Sequence, residues 1–423
     1  MSRTTNRLVL TALIALTGWT ATAACAHGGK LAPAQGPVKA EPADMALAHA
    51  ATRYLTQNRL KSGLVSSVAG FPATTMWDVG NQLAGMVAAH ELGLLPSATF
   101  DPWMSQVLGQ LGRLRLYRQE LPNKAYNAET LLPVDYGALA PAKEIGFSAI
   151  DLSRLTRWLA IVAQRYPAHA KAAKAVTARW KTQRLVRDGA LMGTEVRNGK
   201  ESWNHEGRLG YEQYAAFGLA AIGVQAPESQ SAEAHVSWVE VSGVKVPADP
   251  RDFANSGAHN YVTSEPYVLD GLETGFRSLP VAYANAVLQA QEARHRQTGI
   301  LTTWSEDQLD RAPYFVYNCL WVDGQAWATL DSAGKPAPAM RGSSLKAATG
   351  WHMLYRTPYT QKAYHALRGL QDPARGAYVG SYEALPTPNK ALSLNTNAIV
   401  LEALLYGHVG QPLEAWAASG GRR

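Results

Sequence analysis

Two cysteines in 423 residues leave no disulfide framework to read. A chain of this length can bury a stable core without such staples. Charge is scarce too: Asp, Glu, Lys and Arg make up 17% of the residues, against roughly 25% in an ordinary soluble chain. Past residue 25 there is no run of about 18 uncharged apolar residues, which excludes a polytopic membrane protein. Collagen-like, disordered and coiled-coil classes fail on the same composition. The chain has no G-x-x-x-x-G-K-[ST], no Rossmann fingerprint, no H-E-x-x-H and no His/Cys cluster at zinc spacing. Its basic residues are scattered, as in RLRLYR and KAAKAVTARWK, so they read as solvated helix faces and no nucleic-acid partner is expected. What the chain does have is tryptophan, 12 in all, together with helix after helix of apolar sequence.

The N-terminus sets Arg3 and Arg7 before the apolar LVLTALIALTGW and the small residues TATAACA. That is the layout of a secretory signal peptide over 1–25, so the protein is expected in the periplasm or on the outer membrane. Two cleavages compete. A cut before Cys25, after the lipobox-like Thr22-Ala23-Ala24, leaves a lipidated cysteine. A cut after Ala26 releases a soluble protein. Membrane contact is expected only through that lipid, and Cys319 is left as a free, buried thiol. Residues 26–43 (HGGKLAPAQGPVKAEPAD) read as a flexible tether, and 413–423 as a tail.

Between them, 44–412 reads as one domain of paired helices. Six segments are apolar along most of their length: 74–93, 147–166, 209–223, 263–276, 343–355 and 393–407. A helix apolar on nearly every side belongs inside a larger assembly. The alternating segments 101–119, 168–186, 281–299 and 358–371 are more charged and suit outer helices, and 43–58 can supply another that closes the ring. Over 225–259 the outer partner is poorly formed, with VSWVEVSGVKV a candidate hairpin. The expected fold is an all-α, (α/α)6 toroid of about six inner and six outer helices, with an open helical bundle as the alternative. The spacing is too irregular for a solenoid.

In such a toroid the inner helices start at one mouth, where free N–H groups and positive polarisation gather. The starts carry Trp77 and Asp78, Ser148 and Asp151, Tyr211 and Glu212, Glu265 and Tyr267, Lys346, and Asn395 with Asn397. Each alone is an ordinary cap or first-turn acid. Four carboxylates beside Trp and Tyr at one end ask for more than capping. Loops returning to that end add Trp304, Glu306, Asp307, Asp310 and Tyr314; Tyr378, Tyr382 and Glu383; and Glu201, Trp203, His205 and Glu206. Aromatic faces cover sugar rings, and paired carboxylates cleave glycosidic bonds. Ser343-Ser344-Leu345-Lys346 matches S-x-x-K, but the companion motifs S-D-N and K-T-G are missing. No metal site is assigned and no cofactor is expected; oxygen ligands in the 306–310 loop leave Ca²⁺ as a weak alternative.

The blocks TTMWDVGNQLAGMVAAHELGLL, GFSAIDLSRL, LGYEQYAAFGLAAIG, NYVTSEPYVLDGLETGF, LTTWSEDQLDRAPYFVYN and LNTNAIVLEALLY together resemble the bacterial domain of unknown function 3131 family over roughly 45–412. That family is distantly similar to glycoamylase-like domains and to β-1,2-glucan-active hydrolases and transglycosylases, which are (α/α)6 toroids. The resemblance implies an envelope protein acting on a glucan. Ser148 and Asp151 resemble the S-x-x-D opening of an inner helix in those domains, and Glu212 their glutamate early in the next one. The leading reading is thus an exported glycoside hydrolase or transglycosylase acting on a β-glucan or exopolysaccharide. Glu212 and Glu265 are the leading proton donors, with Asp151, Asp78 or Asp307 as base. Trp77, Tyr211, Tyr267 and Trp304 are proposed sugar platforms, with Asp310, Tyr314, Tyr382, Asn395 and Asn397 as further substrate contacts. The rival is a non-catalytic envelope protein holding a polysaccharide or an export partner. A terpene cyclase or lyase is disfavoured, since no D-x-D-D run occurs. The oligomeric state is not legible.

Overall fold

The computed structural model describes residues 31–137 and 142–420. The signal segment with Cys25, and residues 26–30 of the expected tether, lie outside them. In chain order the helices of seven or more residues are α1 (Pro42–Gln57), α2 (Met76–Glu91), α3 (Ser97–Leu111), α4 (Ala149–Arg165), α5 (Pro167–Thr177), α6 (Tyr211–Ala220), α7 (Glu265–Thr274), α8 (Val281–Thr298), α9 (Leu345–Tyr355), α10 (Pro358–Leu367), α11 (Leu394–Val409) and α12 (Leu413–Ser419).

The six apolar segments are α2, α4, α6, α7, α9 and α11. Nearly every side of these helices is buried, and all ten residues of α7 are. Their starts are set by side chains that accept the free N–H groups: Thr75 for α2, Ser148 for α4 and Ser393 for α11. Each of the six packs on the next, and α11 packs back on α2. The approach is close where α9 meets α7: a Cβ on Gly350 would stand 2.2 Å from Val268 Cγ1, so only glycine fits.

Around them, α3 packs on α2, α5 on α4, α8 on α7, α10 on α9, and α1 on both α11 and α2. Between α6 and α7 no long outer helix forms. The hairpin Ser237–Val241/Val244–Ala248 and two single-turn helices stand there instead. Two expected outer helices are shorter than the charge pattern suggests. The first ends at Leu111, because Arg118 and Gln119 adopt left-handed backbone and turn Leu116–Tyr117 back on Leu121–Pro122. The second ends at Thr177, and Thr182–Leu185 is a 3₁₀ turn.

The all-α expectation needs correcting: seven small antiparallel sheets occur among the described residues. Two of their strands lie directly before an inner helix. Ala73–Thr75 leads into α2 and Gly342–Ser344 into α9, while single bridges tie Val262 to Trp321 before α7 and Val68 to Ser393 before α11. The loops at this end are thus braced by backbone pairing, and they wall the helix starts.

The opposite end is closed differently. Residues 31–41 do not behave as a free tether. Ala34 N–H donates to Leu354 O and Val38 N–H to Gly407 O, both at 2.7 Å, and the Arg356 guanidinium donates to Gly36 O. These carbonyls lie in the last turn of α9 and α11, where no intrahelical donor remains. The expected tail forms α12, which packs on α4 and α7. An apolar cavity lined by Val38, Met45, Ala48, Leu92, Met353 and Leu404 sits under this strap, away from the helix starts.

Between the two ends a buried ionic cluster links the inner helices. Arg154 of α4, 0% exposed, pairs with Glu273 of α7 and, at 2.6 Å, with Glu402 of α11. Its Nε also donates to Asn81 of α2, and its Nη1 to the Tyr214 hydroxyl of α6.

Candidate active site

At the helix starts, Glu265, Lys346, Asp307 and Asn395 come from four separate segments and meet. Lys346 Nζ lies 2.5 Å from Glu265 Oε2, 2.5 Å from Asn395 Oδ1 and 2.5 Å from Glu306 O, with Asp307 Oδ1 at 3.6 Å. Burial alone would lower the ammonium pKa, but Glu265, Asp307 and Glu306 outweigh it and the pKa is raised. The other Glu265 oxygen accepts from Trp77 Nε1 at 3.2 Å and Asn395 Nδ2 at 3.0 Å. Burial pushes Asp307 up to about 7 against the opposing charge of Lys346 and a 3.1 Å hydrogen bond from Ser344.

A second acidic group is built on the start of α4. Burial first, then the charge of Glu206, push Asp151 up to about 8; Lys124 opposes and Asp78 adds to the rise. Glu206 is delivered by the chain leaving the hairpin Ala190–Arg197/Lys200–His205, and it accepts from the N–H groups of Ala149 and Ile150. Burial raises its pKa as well. Asp78 is raised by burial although Ser67, Thr75 and Asn81 all donate to it, and the charge of Glu265 reaches it. Asp78 therefore senses both groups. Asp151, Glu206, Trp77 and Tyr211 remain partly exposed, so this surface is open to solvent. Trp77 and Tyr211 meet edge to face at 5.5 Å.

Other expected site residues are held elsewhere. Glu212, 0% exposed, accepts from His205 at 2.7 Å, Ser229 at 2.6 Å and Arg251 at 2.5 Å. Burial would raise its pKa, but these donors outweigh it and the pKa is lowered. The structure therefore holds Glu212 as a buried, ion-paired carboxylate, without the burial-raised pKa that a proton donor near neutrality needs. Glu212→Gln should cost about 1–3 kcal/mol of stability by leaving buried donors poorly matched, measurable by denaturant unfolding. Because the folded pKa is depressed, this stabilisation is present above the ordinary glutamate value and lost as pH falls through the lower folded one. A variant as stable as the native chain but devoid of turnover would return Glu212 to the chemistry.

Trp304 is 0% exposed and Tyr267 1%, so neither can offer a face to a sugar. Trp304 Nε1 donates to Glu383 and its ring packs edge to face on Trp327, while Tyr267 lies in the main core. Tyr382 is buried and donates to Asp310, which also accepts from the Lys390 N–H and pairs with Arg311. Asn397 is spent on both backbone groups of Ala377. These braces fix the mouth loops. Tyr314, 66% exposed, stands on the turn between Glu306–Gln308 and Phe315–Val322. Asn395 lies within the Glu265 cluster. Ser343 Oγ donates to Leu301 O and Lys346 is committed to carboxylates, so the S-x-x-K run forms no nucleophile–base pair. In the 306–310 loop, Asp307 faces Lys346 while Asp310 braces Tyr382. No group of three or more His, Cys, Asp or Glu placed to hold a metal ion occurs among the described residues.

Residues 46–410 match the family described as "Protein of unknown function (DUF3131)". The chain belongs to the DUF3131 family. No curated protein matches its sequence. In fold, this DUF3131 chain is similar to a candidate glucoamylase from Bacteroides uniformis, with 11% identity, 92% of this chain and 96% of that one covered, and a TM-score of 0.65. An endo-β-1,2-glucanase from Chitinophaga pinensis, in complex with sophorotriose and glucose, aligns at 12% identity over 90% of this chain and 96% of that one, with a TM-score of 0.60. A Talaromyces funiculosus endo-β-1,2-glucanase bound to sophorose aligns at 10% identity over 89% and 85%, with a TM-score of 0.58.

The DUF3131 site also holds residues that the helix-start argument passes over. Glu206 is one of several acids on its loop, and only its approach to the α4 start singles it out. Tyr317 follows from strand pairing, which sets it opposite Glu306. Tyr136 keeps 61% of its surface exposed and lies within electrostatic reach of Asp151 and Glu206.

Proposed function

We propose that this DUF3131 protein is an exported glycoside hydrolase or transglycosylase acting on a neutral β-glucan or related exopolysaccharide. In this reading the signal peptide carries it to the periplasm, free or lipidated on Cys25, and the six buried helices are the inner ring of an (α/α)6 toroid. The observation that carries the chemistry is Asp151, an open carboxyl held protonated near neutrality beside a second acidic group. It serves as proton donor to the glycosidic oxygen, in place of Glu212. Glu265, ion-paired with Lys346, is the second carboxylate, activating water or meeting the sugar carbon. A sugar hydroxyl arriving in place of water gives transfer instead of hydrolysis. The fold shared with β-1,2-glucanases supports a glucan over other substrates. Acids outnumber Lys124 and Lys346 at the mouth, which disfavours polyuronates.

The test is incubation with linear and cyclic β-glucans and a polyuronate, followed by product analysis. New reducing ends or rearranged chains are expected from a neutral glucan only. Glucan binding without any product would leave a polysaccharide-holding protein. Tyr211→Ala should weaken oligosaccharide affinity about tenfold, the loss of one aromatic platform. Calorimetry in an Asp151→Asn background reads this without consuming the ligand, and undiminished affinity removes Tyr211 as a platform.

A further inference from the structure

Tyr317 differs from the tyrosines that brace the fold. Tyr54, Tyr126, Tyr214, Tyr359, Tyr364 and Tyr382 all spend their hydroxyls on protein oxygens. The Tyr317 hydroxyl has no hydrogen-bond partner among the described residues, and it is not among the sealed, unpartnered atoms of the interior. The residue is partly exposed, and the charges of Glu306, Asp151 and Glu265 all reach its phenol. Acids of both groups are thus within electrostatic reach of a hydroxyl that has no partner among the described residues.

Its ring is not free at all. Tyr261 stacks on it at 4.0 Å with 7° between the planes, and Phe315 packs edge-on at 5.0 Å. The stack continues through His259, 5.2 Å from Tyr261, to Phe253, 4.7 Å further and 55% exposed. His259 is fixed in turn by Asp323. A side chain clamped this way loses little rotamer freedom when it binds something, which is what pre-organised recognition requires.

The chemistry around it says what is missing. Carboxylates only accept hydrogen bonds, so they can meet the donor side of sugar hydroxyls. The donors around Glu265 are already committed: Trp77 Nε1, Asn395 Nδ2 and Lys346 all give to protein oxygens. We propose that Tyr317 binds the substrate directly, its hydroxyl donating to a sugar oxygen beside the linkage that lies between Asp151 and Glu265. The Tyr261–His259–Phe253 stack is the brace that aims it. Burial and the surrounding carboxylates raise the phenol pKa, so the proton stays in place as a donor. This assignment rests on the glucan-active reading above.

Tyr317→Phe removes the hydroxyl and keeps the stack. On the β-glucan the native enzyme cleaves, kcat/KM should fall about tenfold, the worth of one such hydrogen bond. The alkaline limb of the pH profile and the thermal midpoint should not move, whereas a purely structural role would move the midpoint. Oligosaccharide affinity in the Asp151→Asn background should weaken by a similar factor when Tyr317→Phe is added. Native kcat/KM and affinity in Tyr317→Phe, with a native enzyme that is active, overturn the assignment alone. A native protein that neither cleaves nor binds any β-glucan overturns the glucan reading and this assignment with it.

Discussion

Asp151→Asn is expected to lower glucan cleavage by about 10²–10⁴-fold, the range spanned by positioned proton donors, and to leave the fold intact. The amide keeps the size of the carboxyl and the N-terminal position on α4, but it has no acidic proton to give. On the proposed reading the same group sets the alkaline limb of the native protein: activity should fall as pH rises through about 8, where the carboxyl ionises. Stability follows with its sign fixed by linkage. The folded pKa lies above that of an unfolded aspartate, so this group's favourable contribution is complete below the unfolded value and is lost as pH rises through about 8. Asn cannot ionise, so the variant should match or exceed the native thermal midpoint on the alkaline side. Native activity that persists undiminished well above pH 8 would take the proton-donor role away from Asp151.

The second large effect lies below the mouth. Arg154→Met should destabilise the protein by about 3–5 kcal/mol, the usual result of removing one partner from a buried ionic cluster. Met fills much of the volume but returns nothing to Glu273 and Glu402, both 0% exposed. Burial already pushes Glu402 up to about 8, with Arg154 opposing the rise and Glu273 adding to it. Without the guanidinium the folded protein should take up a proton here more readily. The unfolded chain stays ionised until far lower pH. Stability of the variant should therefore fall further as pH rises, and the deficit against the native chain should widen above about pH 8, where the native Glu402 ionises beside Arg154 and the variant's does not. Denaturant unfolding at two pH values measures this. A deficit independent of pH would mean that the lost packing, and not the stranded charge, dominates.

The inner helices are legible in the sequence because burial on every side leaves an unmistakable composition, and Thr75, Ser148 and Ser393 mark where three of them begin. The gathering of Trp77, Asp78, Asp151, Glu265 and Asn395 follows from that alone. Chemical roles are not legible in the same way, because partners from distant loops decide them. Glu212 and Asp151 occupy similar first-turn positions, yet Arg251 and His205 make one a fixed anion while Glu206 and burial keep the other protonated. Trp304 and Tyr267 read as platforms only while their burial is unknown. Tyr317 is set by the pairing of two strands that a helical reading leaves out. Residues 31–41 have the Gly/Pro-rich composition of a loose linker, and only the free carbonyls of α9 and α11 turn them into a strap.

That strap makes residues 31–38 part of the folded body. Leu354 O and Gly407 O stand in the last turns of two inner helices, and Ala34 and Val38 supply donors that those turns no longer have. Trimming the chain to Glu41 as though it were spacer would strip both carbonyls of these partners and open the apolar cavity beside Val38 to water.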